Sequence, residues 1–229
     1  MISYTRDEVE QIVKIKPLYQ MPCVNWRGTT AKSKTNGGGE YYSEIIAEII
    51  LNDEKLLNLP CGKVRDSFNF FRHDGSTKNA DSSRKEERFC LEKYKKRNSE
   101  LSPFGKIINY QVNIFVGTKI NVDLVAYDKK SDTLWLIEVK GNGGKSDETL
   151  LRCALEIETY YRCLQSQKQV LLTTLSSKDE GVQTSENTKI QKGILVPEKS
   201  LPAREYSDLD NRPKVKDLME CWKIRFETY

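Results

Sequence analysis

The strongest constraint on the fold is a pair of short apolar runs separated by a polar turn. Residues 119–127 and 133–139 are rich in β-branched and large apolar side chains, and residues 128–132 between them are polar. Runs of this composition favour β-strands, and a short polar connection between them favours an antiparallel hairpin. The sequence therefore predicts a hairpin near the middle of the chain.

Charged residues gather at one end of this predicted hairpin. Side chains alternate between the two faces of a strand. If Asp128 lies opposite Thr133, then Asp123 lies opposite Glu138, and Lys140 is next along the same face. The other face carries only apolar side chains, namely Val122, Leu124, Ala126, Trp135, Ile137 and Val139. The hairpin is therefore expected to be buried on both sides, with two carboxylates and one ammonium group at its end.

Two neighbouring carboxylates in a desolvated place repel each other unless a cation lies between them. Mg²⁺ and Mn²⁺ prefer carboxylate, carbonyl and water oxygens, so Asp123 and Glu138 are candidate metal ligands. An adjacent lysine, Lys140, can orient a water or offset developing negative charge. The alternative is that both carboxylates face solvent and that Lys140 pairs with Glu138. The hairpin alone leaves both interpretations open.

The segment after the hairpin has the pattern of an amphipathic helix. Ser146 or Asp147 can cap its start, and its apolar side is formed by Leu151, Ala154, Leu155, Ile157 and Tyr161. Arg152, Glu156 and Tyr160 are spaced four residues apart and form one polar stripe. A helix that follows the carboxylate-bearing strand can direct this stripe back toward the end of that strand.

In this order, Asp123, the run Glu138-Val139-Lys140 and the following helix resemble the PD-(D/E)XK nuclease superfamily, which includes many restriction endonucleases and repair nucleases. The resemblance covers residues 82–175, and Val122 stands where the family often has proline. It implies that Asp123, Glu138 and the carbonyl of Val139 bind Mg²⁺, for which Mn²⁺ can substitute. It also implies that Lys140 positions or activates the attacking water.

The resemblance also points to a third acidic residue on an earlier helix. Residues 83–97 have a helical pattern whose apolar face carries Glu87 together with Cys90, Leu91 and Tyr94. Relatives often place a glutamate at this position, directed at the metal, so the resemblance implies Glu87 as a catalytic residue and metal ligand. The alternative is that Glu87 pairs with Arg84 or Arg88 at the surface.

The polar stripe of the later helix has an implied role as well. By resemblance Glu156 is a catalytic residue that orients Lys140. Arg152 and Tyr160 are expected to support the site from behind these residues or to contact the scissile phosphate.

The order of predicted elements defines an expected fold class. Residues 106–117 predict a strand before the hairpin, and residues 169–175 predict a fourth strand after the helix. The resulting α-β-β-β-α-β series implies an α/β (α+β), restriction-endonuclease-like core, in which helices flank a mixed sheet. Residues 1–81 are predicted to form a helical N-terminal extension packed on a core of residues 82–229, as one compact unit.

The predicted extensions are helical at both ends of the chain. Thr5 and Glu8 have the spacing of a capping box for a helix that ends at Val13, and residues 41–59 predict a second helix. Residues 176–192 predict a polar loop and residues 193–196 a short strand. A terminal helix is predicted from Pro213, with an apolar side formed by Val215, Leu218, Met219, Trp222 and Phe226.

Composition excludes several other classes of function. The 229 residues carry a net charge of +4, which permits a polyanionic partner without requiring one. No stretch approaches the ~20 apolar residues of a membrane span, and the first residues lack the apolar core of a signal peptide. We therefore expect a cytoplasmic protein without a membrane partner. The six cysteines are scattered and favour reduced thiols, and the single histidine, His73, gives no support for a catalytic triad.

Together these patterns predict a Mg²⁺-dependent DNA nuclease, expected to be an endonuclease, with nucleic acid as partner and a homodimer as a further option. One alternative is a non-catalytic nucleic-acid-binding or protein-interaction module that retains the nuclease fold. Another is an unrelated α/β protein with chance charges at its strand ends. Sequence specificity and the choice between DNA and RNA stay open at this stage.

Overall fold

The computed structural model describes residues 4–14, 18, 21–30, 39–57, 85–96, 100–113, 121–141, 148–165, 167–178 and 182–229. Within these ranges the helices are α1 Arg6–Val13, α2 Tyr42–Asn52, α3 Lys85–Lys95, α4 Leu150–Gln165, α5 Lys168–Lys178, α6 Leu201–Ser207 and α7 Pro213–Cys221. The strands are β1 Glu100–Leu101, β2 Gly105–Asn113, β3 Asn121–Asp128, β4 Thr133–Val139, β5 Lys189–Val196 and β6 Ile224–Thr228. The chain is therefore an α+β protein, as predicted at this level. His73 lies outside the described residues.

The six described strands form one mixed sheet in the order β1-β2-β3-β4-β5-β6. Neighbouring strands from β1 to β4 are antiparallel, whereas β5 runs parallel to β4 and β6 runs parallel to β5. The predicted hairpin is confirmed, and Asp128 lies opposite Thr133 as expected. Because β4, β5 and β6 run in the same direction, their carboxyl ends meet at one edge of the sheet.

The hairpin is buried on both faces, as its pattern predicted. The side chains on one face are part of a hydrophobic cluster that also contains residues of α4, and they include Val125, Tyr127, Leu134 and Leu136. The other face belongs to a cluster shared with α3 and is represented by Leu124, Ala126, Ile137 and Val139. Val122 departs from the prediction, since it lies in the first cluster together with its strand partner Val112.

The change of face at Val112 coincides with a left-handed residue in β2. Gln111 has a φ of 50°, and Tyr110 on one side of it belongs to the second cluster while Val112 on the other belongs to the first. Regular alternation would put Tyr110 and Val112 on the same face. The pattern of alternating side chains in the sequence contains no signal for this interruption.

The predicted strand at residues 169–175 is wrong, because this run lies within helix α5. A short apolar run fits either a strand or a buried helix. Its buried residues, Leu171, Leu172 and Leu175, have helical spacing, and Thr173 between them is exposed. The strand after α4 is instead β5, which begins at Lys189, so the predicted loop 176–192 is also too long.

The predicted terminal helix is right as far as Cys221 and wrong beyond it. Lys223 has a φ of 53°, and the chain then continues as β6. Phe226 therefore lies in a strand instead of on the apolar side of the helix. The spacing of buried residues changes there, since Ile224 and Phe226 are buried and Arg225 between them is exposed.

In the described part of the N-terminal region, helix α1 packs on α2, and α2 packs on α7. The capping box is confirmed, because the Glu8 N–H donates to Thr5 Oγ1 and the Thr5 N–H donates to Glu8 Oε2. Helix α2 ends at Asn52, earlier than predicted, and a 3-10 turn, Glu54–Leu57, follows it. Buried residues of α1 and α2 belong to the same core cluster as those of α4 and α7.

Two further expectations concern membranes and cysteines. Among the described helices, none combines the length and the apolar character that a bilayer crossing needs. Cys163 is disulfide-bonded, so the expectation of reduced thiols is wrong at this position. The other described cysteines, Cys23, Cys90, Cys153 and Cys221, are free.

Candidate active site

Asp123 links the two strands of the hairpin next to the last pair of their ladder, Leu124 and Ile137. Its Oδ2 accepts a hydrogen bond of 2.9 Å from the backbone N–H of Val139, and its Oδ1 accepts one of 2.7 Å from Gln111 Nε2. Each carboxylate oxygen can accept about two bonds, so both retain capacity for a further partner. Asp123 is therefore fixed beside the end of β4.

Gln111 is oriented toward Asp123 by a second side chain. Asn121 Nδ2 donates to Gln111 Oε1 at 3.2 Å, and this bond turns the amide NH₂ of Gln111 toward the carboxylate. Gln111 is also the left-handed residue of β2. Left-handed backbone in a residue other than glycine is uncommon and collects at functional sites. Alternation with apolar neighbours places Gln111 on the polar side of its strand, but it contains no signal for the left-handed conformation.

Lys140 lies among three carboxylates. Its Nζ is 2.6 Å from Glu138 Oε1, 2.7 Å from Glu148 Oε2 and 3.0 Å from Glu156 Oε2. Glu138 is 2% exposed and Lys140 is 5% exposed. The ion pair between Lys140 and Glu138, which was one alternative from the sequence, is therefore present. The same alternative placed the carboxylates in solvent, and this part of it is wrong for Glu138, which is buried.

The polar stripe of α4 points at the strand end, as predicted. Glu156 contacts Lys140, and its Oε1 accepts a hydrogen bond of 2.8 Å from the hydroxyl of Tyr160. Arg152 Nε lies 3.5 Å from Glu156 Oε2. The stripe therefore holds Glu156 between two cations and one hydroxyl donor.

The start of α4 is anchored by distant parts of the chain. Glu205 Oε2 accepts a hydrogen bond of 2.6 Å from the Leu150 N–H, and Asn25 Oδ1 accepts one of 3.2 Å from the Thr149 N–H. These bonds satisfy amide groups that a helix leaves open at its first turn. The caps predicted from sequence, Ser146 and Asp147, lie outside the described residues.

A contact from α3 to the end of β4 is made by Glu86, the residue before the predicted Glu87. Glu86 Oε1 accepts a hydrogen bond of 2.9 Å from the Gly141 N–H. The buried face of α3 is broad and comprises Phe89, Cys90, Leu91 and Tyr94. Positions 86 and 87 both lie one turn before this face, so the spacing of apolar residues does not distinguish them.

Burial dominates the electrostatics of the two carboxylates on the hairpin. Desolvation raises the pKa of Asp123 to about 7, against the opposing effects of Lys140 and of the Val139 N–H. Desolvation also raises the pKa of Glu138, and repulsion from Asp123 and Glu156 adds to it. Within the described residues, Glu138 Oε2 is buried without a hydrogen-bond partner. This end of the hairpin therefore carries excess negative charge with one unsatisfied oxygen.

Lys140 and Glu156 are held in their charged forms. Desolvation acts to lower the pKa of Lys140, but Glu138, Glu156 and Glu148 outweigh it and raise the pKa. Burial acts to raise the pKa of Glu156, but Lys140 and Arg152 outweigh it and lower the pKa. Lys140 is therefore an ammonium group that donates hydrogen bonds and does not take up a proton.

The chemistry of the oxygen donors at this site is compatible with one class of metal ion. The described residues contain no group of three or more His, Cys, Asp or Glu side chains arranged to hold a metal. Mg²⁺ needs fewer protein ligands, because it is usually bound by one or two carboxylates and completes its shell with water and phosphate oxygens. Asp123 and the unsatisfied oxygen of Glu138 match this requirement. A contribution from the Val139 carbonyl stays a prediction.

Comparisons with known proteins found no counterpart for this chain. No family model matches its sequence, and neither a curated protein nor a solved structure matches its fold. Its function therefore has to be argued from the geometry of this site.

Proposed function

We propose that this chain is a divalent-metal-dependent nuclease of the PD-(D/E)XK type, which hydrolyses phosphodiester bonds of DNA. The observation that carries the proposal is the meeting of Asp123, Glu138 and Lys140 at one end of the hairpin, where Asp123 is partly buried and Glu138 and Lys140 are buried. Buried carboxylates with raised pKa values lower stability and occur preferentially at functional sites. A purely structural hairpin would gain stability from apolar residues at these positions.

The order of elements supports the same class. Helix α3, strands β2, β3 and β4, helix α4 and strand β5 occur in the order that the resemblance implies, with the short strand β1 before β2 and helix α5 before β5 as additions. Strand β5 lies parallel to β4, which makes the sheet mixed. The charged residues occupy the carboxyl end of β4, where open α/β sheets commonly bind their ligands.

Asp123 and Glu138 would hold Mg²⁺ or Mn²⁺ together with water and phosphate oxygens. When bound, such an ion supplies Lewis-acid chemistry, which acidifies a coordinated water and offsets negative charge on phosphate. The contribution of this chain would be to hold the metal-binding side chains in place. The hydrogen bonds from Gln111 and Val139 fix Asp123, and the buried setting of Glu138 keeps bulk water away from its free oxygen.

Lys140 would serve as a charged donor to the attacking water or to a phosphate oxygen. In the described arrangement its charge neutralises Glu138, and Glu156, which accepts a hydrogen bond from the Tyr160 hydroxyl, contacts it from α4. A cation beside Glu138 would weaken that ion pair and leave a donor of Lys140 for the substrate. Attack of water on phosphorus would break the P–O3′ bond and leave a 5′-phosphate and a 3′-hydroxyl.

The third acidic residue of the site would be Glu86, with Glu87 as its matched control. The charge of Glu86 contributes to the raised pKa of Asp123, and its carboxylate reaches Gly141. We therefore expect Glu86→Gln to reduce cleavage more than Glu87→Gln does. Equal effects of the two substitutions would remove Glu86 from this role.

The decisive experiment is cleavage of supercoiled plasmid and of single- and double-stranded oligonucleotides with Mg²⁺, Mn²⁺ or EDTA. Low salt is needed because phosphate contacts weaken steeply as ionic strength rises. We expect metal-dependent cutting that Glu138→Gln reduces by about 10³-fold or more, the scale on which loss of one preorganised catalytic group acts. Wild-type cutting by Glu138→Gln would contradict the assignment.

The same samples distinguish the alternative. A non-catalytic nucleic-acid-binding or protein-interaction module would neither cut nor bind Mn²⁺ through Asp123 and Glu138. A titration of Mn²⁺ into the wild type and into Asp123→Asn measures that binding directly. Absence of both cutting and carboxylate-dependent binding would replace the nuclease proposal by this alternative.

A further inference from the structure

Tyr229 reaches the end of the strand that carries Glu138 and Lys140, although it follows a strand two positions away in the sheet. Its hydroxyl donates a hydrogen bond of 2.8 Å to the carbonyl of Gly141. Its backbone is fixed beside the end of β5, where its N–H donates to the Val196 carbonyl at 3.0 Å and its carbonyl accepts from the Glu198 N–H at 3.3 Å. Tyr229 therefore bridges the carboxyl ends of β4 and β5.

Helix α3 holds the Tyr229 ring and the other side of Gly141. The ring stacks on Phe89, with centroids 4.2 Å apart and planes inclined by 24°. Glu86, one turn earlier in α3, accepts the N–H of Gly141. The N–H and the carbonyl of Gly141 are thus both taken by side chains, one from α3 and one from Tyr229.

The two hydrogen bonds to Gly141 restrain a residue whose backbone could otherwise change its conformation easily. It directly follows Lys140 and has a φ of 59°, in the left-handed region. Glycine adopts this conformation at little cost and leaves it as easily, since it has no Cβ to restrict either choice. The peptide group between Lys140 and Gly141 carries the N–H that Glu86 binds, so rotation there would also turn the backbone of Lys140.

We propose that Tyr229 is a positioning residue, which together with Glu86 locks the conformation of Gly141 and thereby the placement of Lys140. The lock itself is a property of the fold, and its effect on turnover rests on the proposed nuclease function. Tyr229 does not reach the reacting atoms in this arrangement. It acts through the backbone that leads out of β4.

Tyr229→Phe removes the hydroxyl and keeps the ring that stacks on Phe89. Tyr206→Phe is the matched control, because Tyr206 also stacks on an aromatic ring, that of Phe226, with centroids 4.0 Å apart. Tyr206 is 39% exposed, and its stacking partner lies in β6 and not in α3. Both substitutions delete one hydroxyl from a stacked tyrosine, and only one of them touches Gly141.

Two measurements test the lock. Hydrogen exchange followed by mass spectrometry, on peptides that end at Gly141, should show faster exchange of this amide in Tyr229→Phe and no change in Tyr206→Phe. Cleavage kinetics should show kcat lowered by about tenfold in Tyr229→Phe with KM unchanged, since small displacements of a catalytic group act mainly on turnover. Loss of the hydrogen bond lowers Tm as well, so a merely structural role would lower Tm and leave the kcat of the folded protein unchanged.

The outcomes separate this inference from the proposed function. Cleavage by the wild type together with unchanged Gly141 exchange in Tyr229→Phe would overturn the lock alone. Faster exchange with an unchanged kcat would overturn its role in positioning Lys140. A wild type that never cleaves contradicts the nuclease proposal and with it the effect of Tyr229 on turnover, whatever the exchange at Gly141.

Discussion

At the scale of single residues, Asp123 combines burial with hydrogen bonds that favour its charged form. The donors from Gln111 and Val139 stabilise the carboxylate, whereas desolvation disfavours it. Desolvation wins, because the pKa of Asp123 rises from 3.8 to about 7. Without a cation, the folded protein therefore holds a proton at Asp123 that the unfolded chain releases at lower pH.

The raised pKa of Asp123 predicts a pH dependence of stability. Between pH 4 and pH 7 the native state binds more protons than the unfolded state, so the free energy of unfolding falls as pH rises. The full shift corresponds to at most about 4 kcal/mol, from roughly 1.4 kcal/mol per pKa unit. Urea denaturation in EDTA across this range should show a smaller slope in Asp123→Asn than in the wild type, and Glu138, whose pKa is also raised, contributes to the slope that remains.

Asp128, at the other end of the same strand, provides the control. Its pKa is lowered, chiefly by a hydrogen bond from Ser131, so its contribution to stability is present above the unfolded pKa and is lost as pH falls. Asp128→Asn should therefore leave the slope above pH 4 unchanged. A wild-type slope in Asp123→Asn would show that this carboxylate titrates normally.

The residues of the site differ in how far a sequence can predict them. Asp123, Glu138 and Lys140 follow from the period of two on adjacent strands, and Glu156 follows from helical spacing on the next element. These four residues come from consecutive elements of the chain, so the contacts between them are local in sequence. Glu86 and Tyr229 reach Gly141 from α3 and from beyond β6. No periodicity within one element indicates such long-range contacts.

At the scale of elements, helix α4 is joined to β5 by a buried charge cluster. Glu158 lies between Lys192 of β5 and Arg162 of α4, whose Nε is 2.6 Å from Glu158 Oε1. Lys192 also lies over the ring of Tyr161, 4.2 Å from its centroid. Glu158 and Lys192 are almost fully buried, whereas Arg162 is partly exposed and also contacts Glu54.

This cluster predicts an asymmetry between its two buried members. Glu158→Leu leaves Lys192 buried beside a second cation, and we expect a loss of stability of about 3 kcal/mol or more. Lys192→Met leaves Glu158 paired with Arg162, so its cost should be smaller. The double variant should be no less stable than Glu158→Leu, as measured by urea denaturation.

Equal costs for the two single substitutions would contradict this account of the cluster. Additive costs in the double variant would do the same, because additivity is expected only of sites that do not interact. The comparison needs no assay of function, so it tests the described arrangement of α4 on β5 by itself.

The elements that sequence patterns predicted incorrectly share one cause. Helix α5 contains an apolar run short enough for a strand, and β6 continues an apolar series that begins in α7. In each case the local pattern fits two structures, and contacts with the rest of the core decide between them. The hairpin was predictable because its turn and its alternation agree with its tertiary position.

At the scale of the whole molecule, one sheet edge receives contributions from distant parts of the chain. The end of β4 is met by α3, by the start of α4 and by Tyr229, while Glu205 and Asn25 anchor α4. The described parts of the N-terminal region share a core cluster with α4 and α7. Binding of a cation at Asp123 and Glu138 should therefore stabilise the molecule as a unit.

This coupling predicts a metal-dependent shift in global stability. A ligand that binds only the native state, present at 100 times its Kd, adds about 2.7 kcal/mol to the free energy of unfolding. Thermal unfolding with Mg²⁺ or Mn²⁺ should therefore show a raised Tm relative to EDTA. The rise should be larger at pH 8 than at pH 6, because protons compete with the cation for Asp123, whose pKa is about 7.

Asp123→Asn should abolish the rise at both pH values, since it removes a ligand and the proton that competes with the cation. Asp128→Asn should retain the rise, because this residue lies at the opposite end of β3. An equal increase of Tm in all three proteins would indicate a general salt effect and would contradict a metal site at the end of the hairpin. An increase confined to proteins with Asp123 intact would link the charge at this sheet edge to the stability of the entire fold.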